Sequence, residues 1–220
     1  ENLDVVVFGE GEQTLLEIAN RVKKKQPLEH IDGIVIRKQK KIIVNKPRQL
    51  IENLDSLHFP ARHLLKDLRT YSHTPLRGTG FIVSVMTSRG CPFNCFYCDQ
   101  SVFTRKWRAN SADYVIKEIK MLKEKYGADA ISFEDDNFAL SKERTIEICK
   151  KMLSENLRIK WSCCIRIDRI DEEILGWMKK AGCRSIYVGI ESGNQKILNS
   201  INKKLSIEQI KLALKIANKV

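Results

Sequence analysis

Residues 81–98, FIVSVMTSRGCPFNCFYC, decide the fold and the chemistry of this chain. The first seven residues form an almost unbroken apolar run, which is typical of a buried strand. A short turn then leads into Cys91, Cys95 and Cys98, which are spaced four and three residues apart. Thiolates bind soft metals and iron–sulfur clusters, and three thiols this close in sequence can share one centre. On a four-iron cluster, three cysteines leave one iron open to a ligand, and open metal positions support chemistry.

Strands and helices alternate from residue 81 onward. We predict strands at 81–87, 130–133, 160–165 and 185–190. Helices are predicted from a cap at Ser111 to Gly127, at 141–154, at 171–181 and after a capping box at Ser206 and Gln209. This alternation predicts an α/β fold with a parallel sheet and right-handed crossovers. Four units in one direction predict a barrel or part of one.

Polar residues follow each predicted strand. The cysteines follow the first, Glu134-Asp135-Asp136-Asn137 the second, Arg166-Ile167-Asp168 the third and Glu191-Ser192-Gly193 the fourth. In a (β/α) barrel the residues just after the strands meet at one face, where active sites lie. The sequence therefore predicts one shared site at the carboxyl ends of these strands.

The motif CxxxCxxC, with Tyr97 directly before the third cysteine, resembles the cluster-binding loop of the radical S-adenosylmethionine (SAM) enzymes. The run YVGIESG at 187–193 resembles their fourth-strand motif, and FEDDNF at 133–138 resembles the second-strand motif of their cobalamin-associated branch. This resemblance implies a partial TIM-like barrel whose C-terminal part is absent. It also implies a [4Fe–4S] cluster that reductively cleaves SAM to methionine and a 5′-deoxyadenosyl radical, which acts on a small organic substrate by methylation or ring formation.

The same resemblance implies contacts to SAM from the ends of the strands. Arg166 is expected to bind the carboxylate, since a guanidinium can grip it with two hydrogen bonds. Glu191 and Ser192 are expected at the ribose or amino group. The complete expected set is Tyr97, Asp135, Asp136, Arg166, Glu191 and Ser192. Two alternatives stay open: the two aspartates could solvate a helix start, and Arg166 could pair with Asp168 at the rim.

The stretch VVVFGEGEQTLLEI at 5–18 predicts a buried strand, a glycine turn and a helix over 14–25 with Leu15, Ile18, Ala19 and Val22 on one face. It resembles the end of the Rossmann-like cobalamin-binding domain that precedes many radical SAM domains. The resemblance implies cobalamin as a candidate cofactor, with Gly9, Gly11 and Thr14 lining its tail pocket. Alternatively, the glycines only serve a turn.

These patterns predict three regions. Residues 1–47 form the remnant of a cobalamin-binding-like domain and include a hairpin of runs 32–37 and 41–45. Residues 48–80 form a linker with a short helix at 61–68, and residues 81–220 form the barrel. We expect more chain before and after these regions, because one strand–helix unit cannot bury its own faces and the family's barrel has about six units.

The length of the apolar runs, the cysteine count and the net charge limit the possible location and partners of the protein. No stretch approaches the roughly 20 apolar residues of a membrane span. The seven cysteines favour a reducing compartment, so we expect a cytoplasmic protein. The resemblance to radical SAM enzymes implies an electron donor such as flavodoxin or ferredoxin. The net charge of +12 suggests a polyanion, but no aromatic residues are interleaved as base-stacking platforms, and nucleic acid is disfavoured.

Two alternative functions remain. A methylthiotransferase-like radical SAM enzyme acting on RNA or protein would carry a second cluster, but no cysteine precedes Cys91. A zinc-stabilised nucleic-acid-binding module would need a second close pair of ligands. Cys149, Cys163, Cys164 and Cys183 do not form a second CxxC.

Overall fold

The computed structural model describes residues 3–38, 41–72 and 80–220. Its β-strands form a three-stranded antiparallel sheet near the N-terminus, a four-stranded parallel sheet and a two-stranded ribbon. In chain order the elements are β1 Val5–Val7, α1 Glu12–Lys23, β2 Ile34–Lys38, β3 Lys41–Val44, β4 Ile82–Val85, β5 Ser88–Arg89, β6 Arg108–Ala109, α2 Ala112–Tyr126, β7 Ala130–Phe133, α3 Lys142–Ser154, β8 Lys160–Ile165, α4 Glu172–Lys180, β9 Cys183–Val188, α5 Gln195–Ser200 and α6 Ile207–Lys219.

The parallel sheet has the order β4-β7-β8-β9, so each strand lies beside the next βα unit along the chain. This confirms the predicted parallel α/β fold. Strand β9 begins and ends two residues earlier than predicted, which places Gly189 and Glu191 in the loop beyond the strand rather than at its end. The ribbon β5–β6 and the short helix α5 were not predicted, because two-residue strands and six-residue helices leave little periodic signal.

Local capping fixes the helix ends where the sequence predicts them. The Ser111 hydroxyl accepts a hydrogen bond from the Tyr114 amide at the start of α2. The same helix ends at Gly127, whose φ of +71° is easily adopted only by glycine. Ser206 and Gln209 form a reciprocal capping box that begins α6.

The core lies between the parallel sheet and the helices that follow its strands. Phe133 and Phe138 stack with ring centroids 4.6 Å apart, and Trp161 packs against both. The Trp161 indole nitrogen donates to the Ala181 carbonyl at 3.0 Å, so its polar atom is satisfied although the side chain is buried. This packing joins β7, the segment after it and β8.

The N-terminal sheet differs from the predicted open α/β unit. Strand β1 is only partly buried and pairs antiparallel with β2, Val5 opposite Ile36. The predicted hairpin is confirmed as β2 and β3, although its turn at residues 39–40 lies outside the described ranges. The predicted helix over 14–25 is confirmed as α1, which begins and ends two residues earlier than predicted. Leu15 and Val22 are exposed, and the buried residue on this helix is Thr14, which hydrogen bonds anchor instead of apolar packing.

The predicted linker is described up to residue 72, and residues 73–79 lie outside the described ranges. It contains three single-turn 3₁₀ helices at Leu54–Ser56, Arg62–Leu64 and Leu68–Tyr71, and the predicted α-helix at 61–68 is wrong. Leu65 has an extended backbone and interrupts the segment. The buried Arg62 guanidinium pairs with Glu118 of α2 at 2.7 Å and donates to the Ser84 carbonyl of β4 at 3.1 Å. The linker therefore covers the edge of strand β4.

Candidate active site

Gly90 and the ribbon β5–β6 shape the cysteine loop. The two short strands pair Arg89 with Arg108 and close the segment between them, which holds all three cysteines, into a single loop. Gly90 has φ +80°, and a Cβ there would lie 2.5 Å from the Lys106 carbonyl oxygen. Only glycine fits at the entrance of this loop.

The backbone of the loop is curled by internal hydrogen bonds. The Gln100 side-chain amide donates to the carbonyls of Cys91 and Phe93 at 3.1 and 3.0 Å, and the Cys98 amide donates to the Cys95 carbonyl at 3.1 Å. From outside the loop, the Ile201 carbonyl accepts from the amide of residue 96 at 3.0 Å. The loop is thus attached to the segment between α5 and α6.

The three thiols are all free and reach the surface to different degrees. Cys91 and Cys95 are half-buried, whereas Cys98 is exposed. Cys91 and Cys98 line the same cavity of about 220 Å³, together with Asp136. The sulfur of Cys95 lies 3.8 Å from Nη1 of Arg166.

Electrostatics connect these groups. Burial raises the pKa of the Cys91 thiol, and the negative charges of Asp136 and Cys98 raise it further, while the Phe93 amide and Arg166 oppose this. Such thiols become thiolates when a metal binds and displaces the proton.

The donor set fits an iron–sulfur cluster better than a single ion. Within the described ranges, no three His, Cys, Asp or Glu side chains converge closely enough to hold one metal ion. A structural zinc ion needs four such ligands around one point. The thiolates of a four-iron cluster bind separate irons and so lie farther apart, and three of them leave the fourth iron open. The residues present therefore fit a [4Fe–4S] cluster.

Tyr97, Glu191 and Lys203 form a hydrogen-bonded triad beside the cysteine loop. The Tyr97 hydroxyl donates to Oε1 of Glu191 at 2.8 Å, and Nζ of Lys203 donates to the same hydroxyl at 2.6 Å and to Glu191 at 2.8 Å. Lys203 and Tyr97 hold the pKa of Glu191 below its usual range. Burial disfavours the charge of Lys203, but its two partners outweigh this and raise its pKa. Lys203 was missed by the sequence reasoning.

Two of the three guanidinium nitrogens of Arg166 already donate hydrogen bonds within the protein. Its Nε and Nη2 donate to the two oxygens of Asp168 at 3.0 and 3.2 Å, and Nη2 also donates to the Lys203 carbonyl at 3.0 Å. The guanidinium carbon lies 3.7 Å from the centre of the Phe93 ring. The alternative of a pair with Asp168 is therefore the arrangement present.

The two neighbouring aspartates have separate positions. Asp135 is 2% exposed and accepts from the Thr87 amide at 2.6 Å, from its hydroxyl at 2.8 Å and from the Ser88 amide. Burial raises the pKa of Asp135. Its carboxylate holds the turn between β4 and β5, and its expected place at SAM stays a prediction. Asp136 is exposed on the cavity of Cys91 and Cys98.

Ser192, expected at SAM, and Thr14, expected at cobalamin, both form hydrogen bonds within the protein. The Ser192 hydroxyl accepts from the Asn194 amide at 3.1 Å, just before α5. Thr14 is buried, donates to the Asp32 carbonyl at 3.3 Å and accepts from Nε of Arg48 at 2.8 Å. These bonds hold Thr14 against Asp32 and Arg48, and its expected place at cobalamin stays a prediction.

The two glycines of the N-terminal turn are not equivalent. Gly9 has φ +74° with open space where a Cβ would be, whereas Gly11 has an ordinary φ of −91° at the start of α1. The turn therefore requires glycine at residue 9 only. The space around Gly9 is compatible with the close approach of a ligand.

Glu10, between these glycines, ties the N-terminal turn to the cysteine loop. Its buried carboxylate accepts from Nη1 of Arg108 at 2.8 Å, from Nη1 of Arg89 at 2.8 Å and from the Ile51 amide at 2.7 Å. Burial raises the pKa of Glu10, but these hydrogen bonds outweigh it and leave the pKa below its usual range. Arg89 stands two residues before Cys91, so this network positions the loop. The sequence gives no signal for a contact between residues this far apart.

Comparison with known proteins agrees with this geometry. The family model described as the radical SAM superfamily matches residues 85–220, which hold the cysteine loop and strands β7, β8 and β9 of the parallel sheet. The chain belongs to the radical SAM superfamily. It is 38% identical over 218 residues to an uncharacterized methyltransferase of Pyrococcus horikoshii, covering 99% of this chain and 46% of the relative.

Two further matches concern an enzyme and a solved structure. An anaerobic magnesium-protoporphyrin IX monomethyl ester cyclase of Synechocystis is 31% identical over 203 residues, covering 91% of this radical SAM chain and 40% of the cyclase. The cobalamin-dependent radical SAM enzyme OxsB, solved with aqua-cobalamin and SAM bound, superimposes with a TM-score of 0.81 at 23% identity, covering 96% of this chain and 31% of OxsB. This confirms the predicted partial TIM-like barrel. The chain spans less than half the length of these relatives.

Proposed function

We propose that the protein is a radical SAM enzyme of the cobalamin-associated branch. The observation that carries the proposal is the loop of Cys91, Cys95 and Cys98, held at the carboxyl ends of a parallel half-barrel of the radical SAM superfamily. When bound there, a [4Fe–4S] cluster would supply the electron that cleaves SAM at its open iron into methionine and a 5′-deoxyadenosyl radical.

The chain's own residues would bind and orient the nucleoside. Asp136, exposed on the cavity of Cys91 and Cys98, is the proposed partner of the SAM ammonium group. Tyr97 and Glu191, fixed by Lys203, are proposed to line the ribose side. Arg166 and Ser192 stay in the proposed site with reduced roles, because most of their polar atoms already have partners.

Methylation or ring formation on a small organic molecule is the proposed reaction. The relatives with a methyltransferase or cyclase name support this range, and the fold of OxsB supports cobalamin as a second cofactor. The proposed neighbours of that cofactor are Gly9, Gly11 and Thr14. Thr14 is buried and would support the turn that holds the two glycines. We propose the division into residues 1–47, 48–80 and 81–220 on the same grounds.

The proposed setting is a reducing compartment, the cytoplasm, with flavodoxin or ferredoxin as electron donor. A surface [4Fe–4S] cluster and seven free cysteines would both be damaged by oxidants. Among the described residues, no helix is long and apolar enough to cross a bilayer.

The test is SAM cleavage by the protein after anaerobic reconstitution with iron and sulfide. With a chemical reductant and SAM, we expect 5′-deoxyadenosine and methionine in equal amounts. Cys95→Ala should abolish both products, whereas Cys164→Ala, which removes an exposed cysteine of β8 outside the loop, should retain them. Equal loss in both variants, or no cleavage by a cluster-loaded wild type, would overturn the proposed function.

A further inference from the structure

We propose that Arg166 is a positioning residue that donates a hydrogen bond to the thiolate of Cys95 and raises the reduction potential of the cluster. This rests on the proposed function, because it requires a cluster on the cysteine loop. It assigns to Arg166 a role toward the protein's own sulfur instead of the SAM carboxylate.

The geometry of Arg166 supports this role. Its Nη1 lies 3.8 Å from the Cys95 sulfur, within the range of hydrogen bonds to sulfur. The other nitrogens are held by Asp168 and the Lys203 carbonyl, and the plane stacks on Phe93 of the same cysteine loop. The side chain is 8% exposed, so water competes little for the sulfur. The guanidinium therefore has one orientation, and in it an N–H faces the thiolate.

The effect on a cluster follows from charge. Reduction adds a negative charge that is shared with the coordinating thiolates. A hydrogen-bond donor and a positive charge beside one thiolate stabilise the reduced form more than the oxidised form, which raises the potential. Asp168 opposes part of this effect, because its negative charge lies on the other side of the same guanidinium. Removing the two side chains should therefore shift the potential in opposite directions.

The test is an anaerobic redox titration of the reconstituted protein without SAM, followed by the EPR signal of the reduced cluster. At the potential where half of the wild-type clusters are reduced, we expect Arg166→Met to lower the ratio of reduced to oxidised cluster about tenfold, equivalent to about 59 mV for one electron. Asp168→Asn should raise the ratio. Arg169→Met is the matched control. The Arg169 guanidinium lies 5.5 Å from the centre of the Phe93 ring, whereas the donor to the Cys95 sulfur is Arg166, so this variant should stay near the wild type.

The outcomes separate this inference from the proposed function. If the wild type assembles no cluster, the proposed function itself fails. If clusters form and Arg166→Met has the wild-type potential, the inference is overturned. If that variant loses only affinity for SAM, Arg166 instead binds the SAM carboxylate. Should Arg166→Met retain no cluster, Asp168→Asn decides, since an unchanged or lower potential in that variant contradicts the inference.

Discussion

The substitution Glu10→Gln tests whether the buried ion pairs hold the N-terminal turn on the cysteine loop. The side chain of Glu10 is 3% exposed, and that of its partner Arg108 is 4% exposed. Removing one charge of a buried pair costs about 3–5 kcal/mol, because the other charge stays buried without a partner. Arg108 keeps the Ile51 carbonyl and Arg89 keeps Glu12, so we expect the lower end, about 3 kcal/mol.

Urea unfolding followed by circular dichroism measures this cost. With a slope of about 2 kcal/mol/M, a loss of about 3 kcal/mol lowers the midpoint by about 1.5 M. Glu52→Gln is the matched control, since its pair with Lys106 also joins the linker to the cysteine loop but both side chains are more than half exposed. Exposed pairs contribute below about 1 kcal/mol, so the control midpoint should move by less than about 0.5 M.

The pH dependence gives a second readout. Because the pKa of Glu10 is lowered in the folded protein, the unfolded chain takes up the proton first as the pH falls. Stability from Glu10 is complete above the unfolded pKa of about 4.3 and is lost as the pH drops through the folded value. The gap between wild type and Glu10→Gln should therefore shrink below about pH 4. A Glu10→Gln midpoint no lower than that of Glu52→Gln would refute the reasoning.

Further predictions concern the loop and the helices. Gly90→Ala places a Cβ against a backbone carbonyl at positive φ, so we expect a loss of about 1–3 kcal/mol in urea unfolding and weaker iron retention. Gly176→Ala, in open space within α4, should instead stabilise by up to about 1 kcal/mol, and a loss there would contradict the assignment of that helix. Lys203→Met removes the hydrogen bond to Tyr97 and should speed the loss of iron to a chelator several-fold. Lys204→Met, at an exposed neighbour, should leave the rate unchanged. Equal rates in the two variants would show that the triad does not stabilise the cluster.

The features that the sequence predicted correctly depend on neighbours along the chain. Ser111 and Gly127 mark the ends of α2 because caps act within one helical turn. The cysteine trio could be singled out because its three thiols lie in one short loop, and their role as cluster ligands stays a prediction. Periodicity predicted that α1 has an apolar side but not which elements cover it, and Leu15 and Val22 on that side are exposed.

The features that the sequence did not predict depend on pairs far apart in the chain. Glu10 meets Arg108, and Lys203 meets Tyr97, across separations that leave no local pattern. Asp135 and Asp136 have the same chemistry and adjacent positions, yet one is buried under the β4–β5 turn and the other lines the cavity. Alternation along an extended segment predicts opposite directions for two neighbours, but it does not tell which direction leads to the ligand.

The central claim, a cluster held by Cys91, Cys95 and Cys98 with one iron open to SAM, is tested most directly by Mössbauer spectroscopy. The protein is reconstituted anaerobically with ⁵⁷Fe and measured with and without SAM. The account predicts a [4Fe–4S] spectrum in which one of the four irons changes when SAM is added. A spectrum in which SAM changes none of the irons, or a protein that binds one zinc ion and no sulfide, would contradict it.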